Sequence, residues 1–190
     1  GEYSLAGTHT PVNQDTTFAA ARGSVACVAV FDGHGALGER AAAVARTALA
    51  SRFAATDAAE WHERPEATMR ATVAALHSAV LDAHAPAELP ERFEHKGERY
   101  VRRADGGFDV SGRGGGRVEP ADFGCTLAIA VAMSGADGGT SVVAANLGDS
   151  PIYLCVDAGD GTAAVRELSR AHTAADDDER RRLTDVPNAR

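Results

Sequence analysis

Asp32 and His34, separated by Gly33 and followed by Gly35, are the residues best placed to do chemistry in this 190-residue chain. A carboxylate is a ligand for a hard cation, and an imidazole two positions on can hold a proton near neutral pH. The two glycines let the backbone turn without a Cβ clash, so the pair is delivered at a tight bend. Asp-Gly alone is also the sequence of an ordinary polar turn between strands. A hairpin, however, needs a second strand directly after the turn, and the pattern that follows here is helical.

The elements around this bend must position it. Residues 25–31 are a continuous apolar run of strand length, which predicts a strand buried on both faces. Upstream, 16–20 reads as a second strand, and Ala21-Arg22-Gly23 as the hairpin turn between the two. Asp15 stands just before the first strand and Asp32 just after the second. Antiparallel pairing therefore brings the two carboxylates together.

Further out, 3–7 is a short edge-strand candidate. Leu37, Ala41, Ala45, Leu49 and Phe53 recur at helical steps and predict a helix over 38–53. A second helix starts near Pro65, carries the stripe Met69, Val73, Leu76 and Val80, and ends before Pro86. His77 and His84 share a seven-residue step, but no third ligand accompanies them, so they read as surface or core histidines. Residues 87–122 lack periodicity and are rich in glycine, the pattern of a mobile loop or insertion. Their glycines lack both the Gly-Lys-Ser/Thr ending and the preceding strand of a phosphate loop. Strands are predicted at 125–132, 141–146, 152–156 and 163–168, and a charged helix at 176–183. Hairpins, two consecutive helices and more hairpins make an α+β protein.

Composition narrows the function classes. Apolar content of 44% and charged content of 24% are those of an ordinary globular protein, and 190 residues suit one domain. A net charge of −8 argues against nucleic acid or an anionic membrane as the main partner. No apolar run approaches the ~20 residues of a membrane span, and no secretory signal is visible at Gly1. Cys27, Cys125 and Cys155 are isolated in apolar runs without a CxxC pair. They are expected to be buried, reduced thiols of an intracellular protein, cytoplasmic or nuclear.

Phe31-Asp32-Gly33-His34-Gly35 resembles the FDGHG signature of the metal-dependent protein serine/threonine phosphatases of type 2C. Two further stretches follow the family's order. Val12-Asn13-Gln14-Asp15 is similar to its N-terminal acidic motif. Gly124-Cys125-Thr126 and Ala144-Ala145-Asn146-Leu147-Gly148-Asp149-Ser150 are similar to its SG-T-A and VANVGDSR strands. The resemblance runs over about 1–183, treated as a single domain, and corresponds to the front portion of a family domain. It implies two packed antiparallel β-sheets flanked by helices.

The resemblance also implies a chemistry, hydrolysis of phosphoserine and phosphothreonine in a phosphoprotein substrate. Mn2+ or Mg2+ would be held by Asp15, Asp32 and the Gly33 carbonyl, with Asp149 at a weaker third site. His34 would protonate the leaving oxygen. The chain departs from the pattern at Thr10, beside His9, where the phosphate-gripping arginine belongs. It departs again at Gln14 in place of an acid and at Pro151 in place of an arginine. No phosphate-binding residue is assigned. The family's downstream DG and DN metal motifs do not occur in these 190 residues, so two carboxylates face four cationic charges. Weak or single-metal binding is the expectation, and the alternative is a catalytically impaired pseudophosphatase serving as an interaction module.

Overall fold

The computed structural model describes residues 13–184 apart from Pro86, Arg113, Gly114, Ala158 and Asp160. The expected strand at 3–7 and the positions of His9 and Thr10 lie outside the described residues.

Strands β1 (Thr16–Arg22) and β2 (Val25–Phe31) form the expected hairpin, turning at Gly23 with φ +59°. A two-residue strand β3 (Gly33–His34) follows, then helices α1 (Gly38–Ala55), α2 (Ala58–Glu63) and α3 (Pro65–Ala83). Next come β4 (Arg92–His95), β5 (Glu98–Arg102), β6 (Phe108–Ser111) and β7 (Gly116–Val118). A single 3-10 turn (Pro120–Asp122) leads into β8 (Gly124–Cys125), β9 (Leu127–Ser134) and β10 (Thr140–Leu147). The described chain closes with β11 (Tyr153–Asp157), β12 (Ala163–Glu167) and α4 (Asp177–Thr184). It is an α+β protein whose sheets are all antiparallel.

The main sheet has the order β1-β2-β9-β10. Its inner face carries Cys27, Phe31, Ile129 and Val131 against Ala45, Leu49 and Phe53 of α1 and Met69 and Leu76 of α3. Trp61 of α2 is 1% exposed in the same core. Pro65 opens α3 at its first turn, where its missing N–H costs nothing. The Thr68 hydroxyl donates to the Arg64 carbonyl (2.8 Å), and that of Thr72 to the Thr68 carbonyl (2.8 Å). These two bonds let both hydroxyls be buried on the helix's inner side.

Strand β2 corrects the expectation of burial on both faces. Val25, Cys27, Ala29 and Phe31 are buried, while Ala26, Val28 and Val30 point outward, Val28 to 55% exposure. Helices cover only one side of the sheet. Ala and Val stand at inward and outward positions alike, so residue type does not reveal the alternation. The cysteine expectation is likewise corrected in part. All three thiols are free, but Cys125 is half-buried and Cys155 exposed.

Residues 87–122 are not the loop their glycines suggested. They form a four-stranded sheet of order β4-β5-β6-β7. Its inner face builds a second core from Phe93, Tyr100, Phe108 and Phe123 together with Leu37 and Leu89. Phe93 stacks on Tyr100 with ring centres 4.6 Å apart. Arg103 ties the sheet's loops together, bonding Asp105 (2.9 Å), Glu119 (2.7 Å) and the Phe108 carbonyl (3.2 Å). Four strands of three to five residues are too short to display a period of two, so the sequence shows only charge and glycine.

Candidate functional site

One end of the main sheet collects the candidate residues, and the strand register explains how. The last β1–β2 pair is Thr16 with Phe31, so the next step outward sets Asp15 across from Asp32. The same outward row continues into β9. The Thr126 amide donates to the Asp32 carbonyl (2.8 Å), and the Asp32 amide donates to Thr126 Oγ1 (3.2 Å). On β10 the step beyond the Leu147–Leu127 pair is Gly148, and a Cβ there would sit 2.7 Å from Thr126 Cγ2. Asp15, Asp32, Thr126 and Gly148 thus form one transverse row, with Asp149 following at its far side.

The electrostatics of the row are those of crowded like charges. The Asp15 and Asp32 carboxylates face each other closely enough for the charge of one to act on the other. Burial, the charge and hydrogen bond of Asp15, and the charge of Asp149 push the Asp32 carboxyl above the usual carboxylate range; His34 partly opposes them. Cys125, paired with Gly33 across β3–β8, is raised to about 11 by burial and the charge of Asp32, which disfavours the thiolate. Thr126 Oγ1 accepts from the Asp32 amide and shares a hydrogen bond with Ser150 Oγ at 3.3 Å, in which either hydroxyl can donate.

His34 is exposed beside this pair, in register with Gly124. A Cβ on Gly124 would lie 2.9 Å from both Cε1 and Nε2 of the ring, so a larger residue there would push the imidazole from this position. Gly33 is buried, and a Cβ on it would strike the carbonyl oxygens of Gly38 (2.5 Å) and Gln14 (2.6 Å). Asp149 is exposed, and the backbone before it is held from behind. The His172 amide donates to the Gly148 carbonyl (2.8 Å), and Asn146 Nδ2 donates to the same oxygen (3.0 Å). His77 and His84 are not brought together, since the first is exposed and the second buried.

Whether the row suits a cation can be judged from its donors. Two facing carboxylates, a third within electrostatic reach and nearby backbone carbonyls are an all-oxygen set of the kind hard divalent ions take. The raised Asp32 carboxyl is the mark of a pair that a cation would relieve. Among the described residues, no group of three or more His, Cys, Asp or Glu is close enough to hold a metal ion. The row therefore suits such an ion in donor chemistry but is not a closed cage.

Sequence reasoning missed three contributors. Thr126 fastens the Asp32 backbone, Gln14 bonds the bend that carries His34, and Phe123 packs behind Gly35. The signal for Gln14 was its place next to Asp15. Nothing local in the sequence marked Phe123.

The chain belongs to the protein phosphatase 2C family, whose model matches residues 4–187. Among solved structures it is similar to the PPM Ser-Thr phosphatase MsPP from Mycobacterium smegmatis, crystallised in complex with cacodylate. The two share 22% identity and a TM-score of 0.39, over 95% of this chain and 56% of that one. The chain thus spans little more than half the length of that protein. No curated protein matches it.

Proposed function

We propose that this chain supplies the nucleus of a metal-dependent protein serine/threonine phosphatase site. The observation that carries the reading is the strand register that sets Asp15 across from Asp32 beside an exposed His34. Asp15 and Asp32 would hold Mn2+ or Mg2+, with the Gly33 carbonyl beside them and Asp149 at the edge. When bound, such an ion supplies Lewis acidity that activates water and neutralises a phosphoryl group. His34, as imidazolium, gives its proton to the seryl or threonyl oxygen as the oxygen–phosphorus bond breaks, so the side chain leaves as an alcohol. Phosphoprotein is the substrate class, and the three unpaired thiols support an intracellular setting.

A second reading, an impaired relative that serves as an interaction module, has its own support. Pro151 follows Gly148-Asp149-Ser150 where the family resemblance calls for arginine, and the Gln14 amide is committed to Gly35 and Glu39.

Phosphate release from a phosphothreonine peptide, with and without Mn2+, separates the two. Under the first reading the full polypeptide is Mn2+-dependent and loses turnover on Asp32→Asn. It keeps turnover of aryl phosphates but loses that of phosphopeptides on His34→Ala, because a poor leaving group needs the proton. Metal-independent release, or release undiminished by Asp32→Asn, sinks the first reading.

A further inference from the structure

Gln14 links three parts of the site that the sequence keeps apart. Its Nε2 lies 2.7 Å from the Gly35 carbonyl and 2.9 Å from Glu39 Oε2. Both partners are acceptors only, so the amide must turn its NH2 end to them and both its hydrogens are committed. Its main-chain carbonyl fills the space a Cβ on Gly33 would need, at 2.6 Å. A Cβ on Gly38, at the start of α1, would come within 3.0 Å of the amide nitrogen. One residue therefore touches the bend at Gly33, at Gly35 and at the helix that follows. His34 lies between the first two, and Asp15 is the next residue along the chain.

The far side of the bend is closed as well. A Cβ on Gly35, whose φ is +77°, would meet the Asp122 carbonyl at 2.5 Å and the Phe123 ring at 2.9 Å. The bend is thus held between Gln14 and the second core. A carboxylate at position 14 would oppose acceptor to acceptor at both Gly35 and Glu39, which explains why an amide stands here.

We propose that Gln14 is a positioning residue, whose two amide hydrogen bonds fix the bend bearing His34 at a set distance from the Asp15–Asp32 pair. The inference rests on reading that pair as divalent-cation ligands. Outer groups that orient metal ligands change affinity by about 10–100-fold when removed, without themselves touching the ion.

The test uses Gln14→Met, which keeps length and volume but removes both donors, with the isosteric Gln14→Glu as a second variant. Mn2+ binding is followed by electron paramagnetic resonance, the amide resonances of Gly33, His34 and Gly35 by NMR, and Tm by calorimetry. Gln14→Met is expected to hold Tm within a few degrees of wild type while weakening Mn2+ binding at least about tenfold. The three bend resonances should shift or broaden in both variants while those of β9 stay put. Unmoved bend resonances with Mn2+ affinity within about twofold of wild type would overturn the proposal. So would a general loss of Tm and dispersion in both variants, which marks a merely structural residue. If the wild-type chain takes up no Mn2+, the functional reading fails, and the bend resonances still decide whether Gln14 fixes the bend.

Discussion

Asp15 stands directly across the β1–β2 ladder from Asp32, one step beyond the Thr16–Phe31 pair, close enough for its charge to act on the Asp32 carboxyl. Without a cation, burial and then the neighbouring charges of Asp15 and Asp149 raise the Asp32 carboxyl. For an acid whose folded pKa lies above its unfolded one, stability is lost as pH rises through the folded value and regained as pH falls towards the ordinary carboxyl range. Asp32→Asn should therefore raise Tm at pH 7–8 in chelator. The gain should shrink towards pH 4. Added Mn2+ should reverse the order, since it stabilises only the protein that binds it. Thermal melts of both proteins across pH, with and without Mn2+, check this.

Gly33→Ala tests how tightly the bend is built. Both nearest atoms to the added Cβ are backbone oxygens, at 2.5 and 2.6 Å, which cannot swing aside as a side chain could. The substitution should cost roughly 1–3 kcal/mol, the range for forced overpacking. Gly97→Ala is the control for backbone conformation alone, because its φ is +77° and no atom lies within 4 Å of the added Cβ. Urea denaturation should show the Gly33 change as the more harmful of the two.

The second core should be separable from the first. Phe108 is wholly buried among Phe93, Tyr100 and Phe123, so Phe108→Ala should cost about 3–5 kcal/mol of local stability. Hydrogen exchange of β4–β7 amides should accelerate strongly, with β2 and β9 protected as before. Equal loss in both sheets would show that the two cores unfold as one.

Thr126→Val keeps shape but removes the hydroxyl that accepts from the Asp32 amide and reaches Ser150. The loss should be about 1 kcal/mol, the net worth of an ordinary hydrogen bond. In the presence of Mn2+ the larger effect should fall on cation affinity, measured by calorimetric titration, because Asp32 is the residue released.

The pairing of Asp15 with Asp32 could be counted from the chain before any coordinates, because a short hairpin allows few registers. Helices α1 and α3 were equally legible, since fifteen or more residues carry a clear period. The six-residue α2 was not, although it delivers Trp61 to the core. Nor was the β4–β7 sheet, whose apolar residues Phe93, Tyr100 and Phe108 are spread among charges and glycines and find one another only across strands. The role of Gln14 stayed hidden for a different reason. Read as a residue lacking a carboxylate, it looked like a deficit; only its two acceptors show what an amide does there.

Trp61 is the chain's single tryptophan and lies in the first core, while the second is built from phenylalanine and tyrosine. Light absorbed at 295 nm therefore excites a reporter confined to one of the two. Its emission, shielded from water, should stay blue-shifted while the β4–β7 sheet opens and turn red only when the helices leave the main sheet. Near-ultraviolet circular dichroism of Tyr100 follows the other half. The molecule thus carries two built-in optical channels, one for each packed layer, and the order in which its parts come undone can be read without attaching a dye.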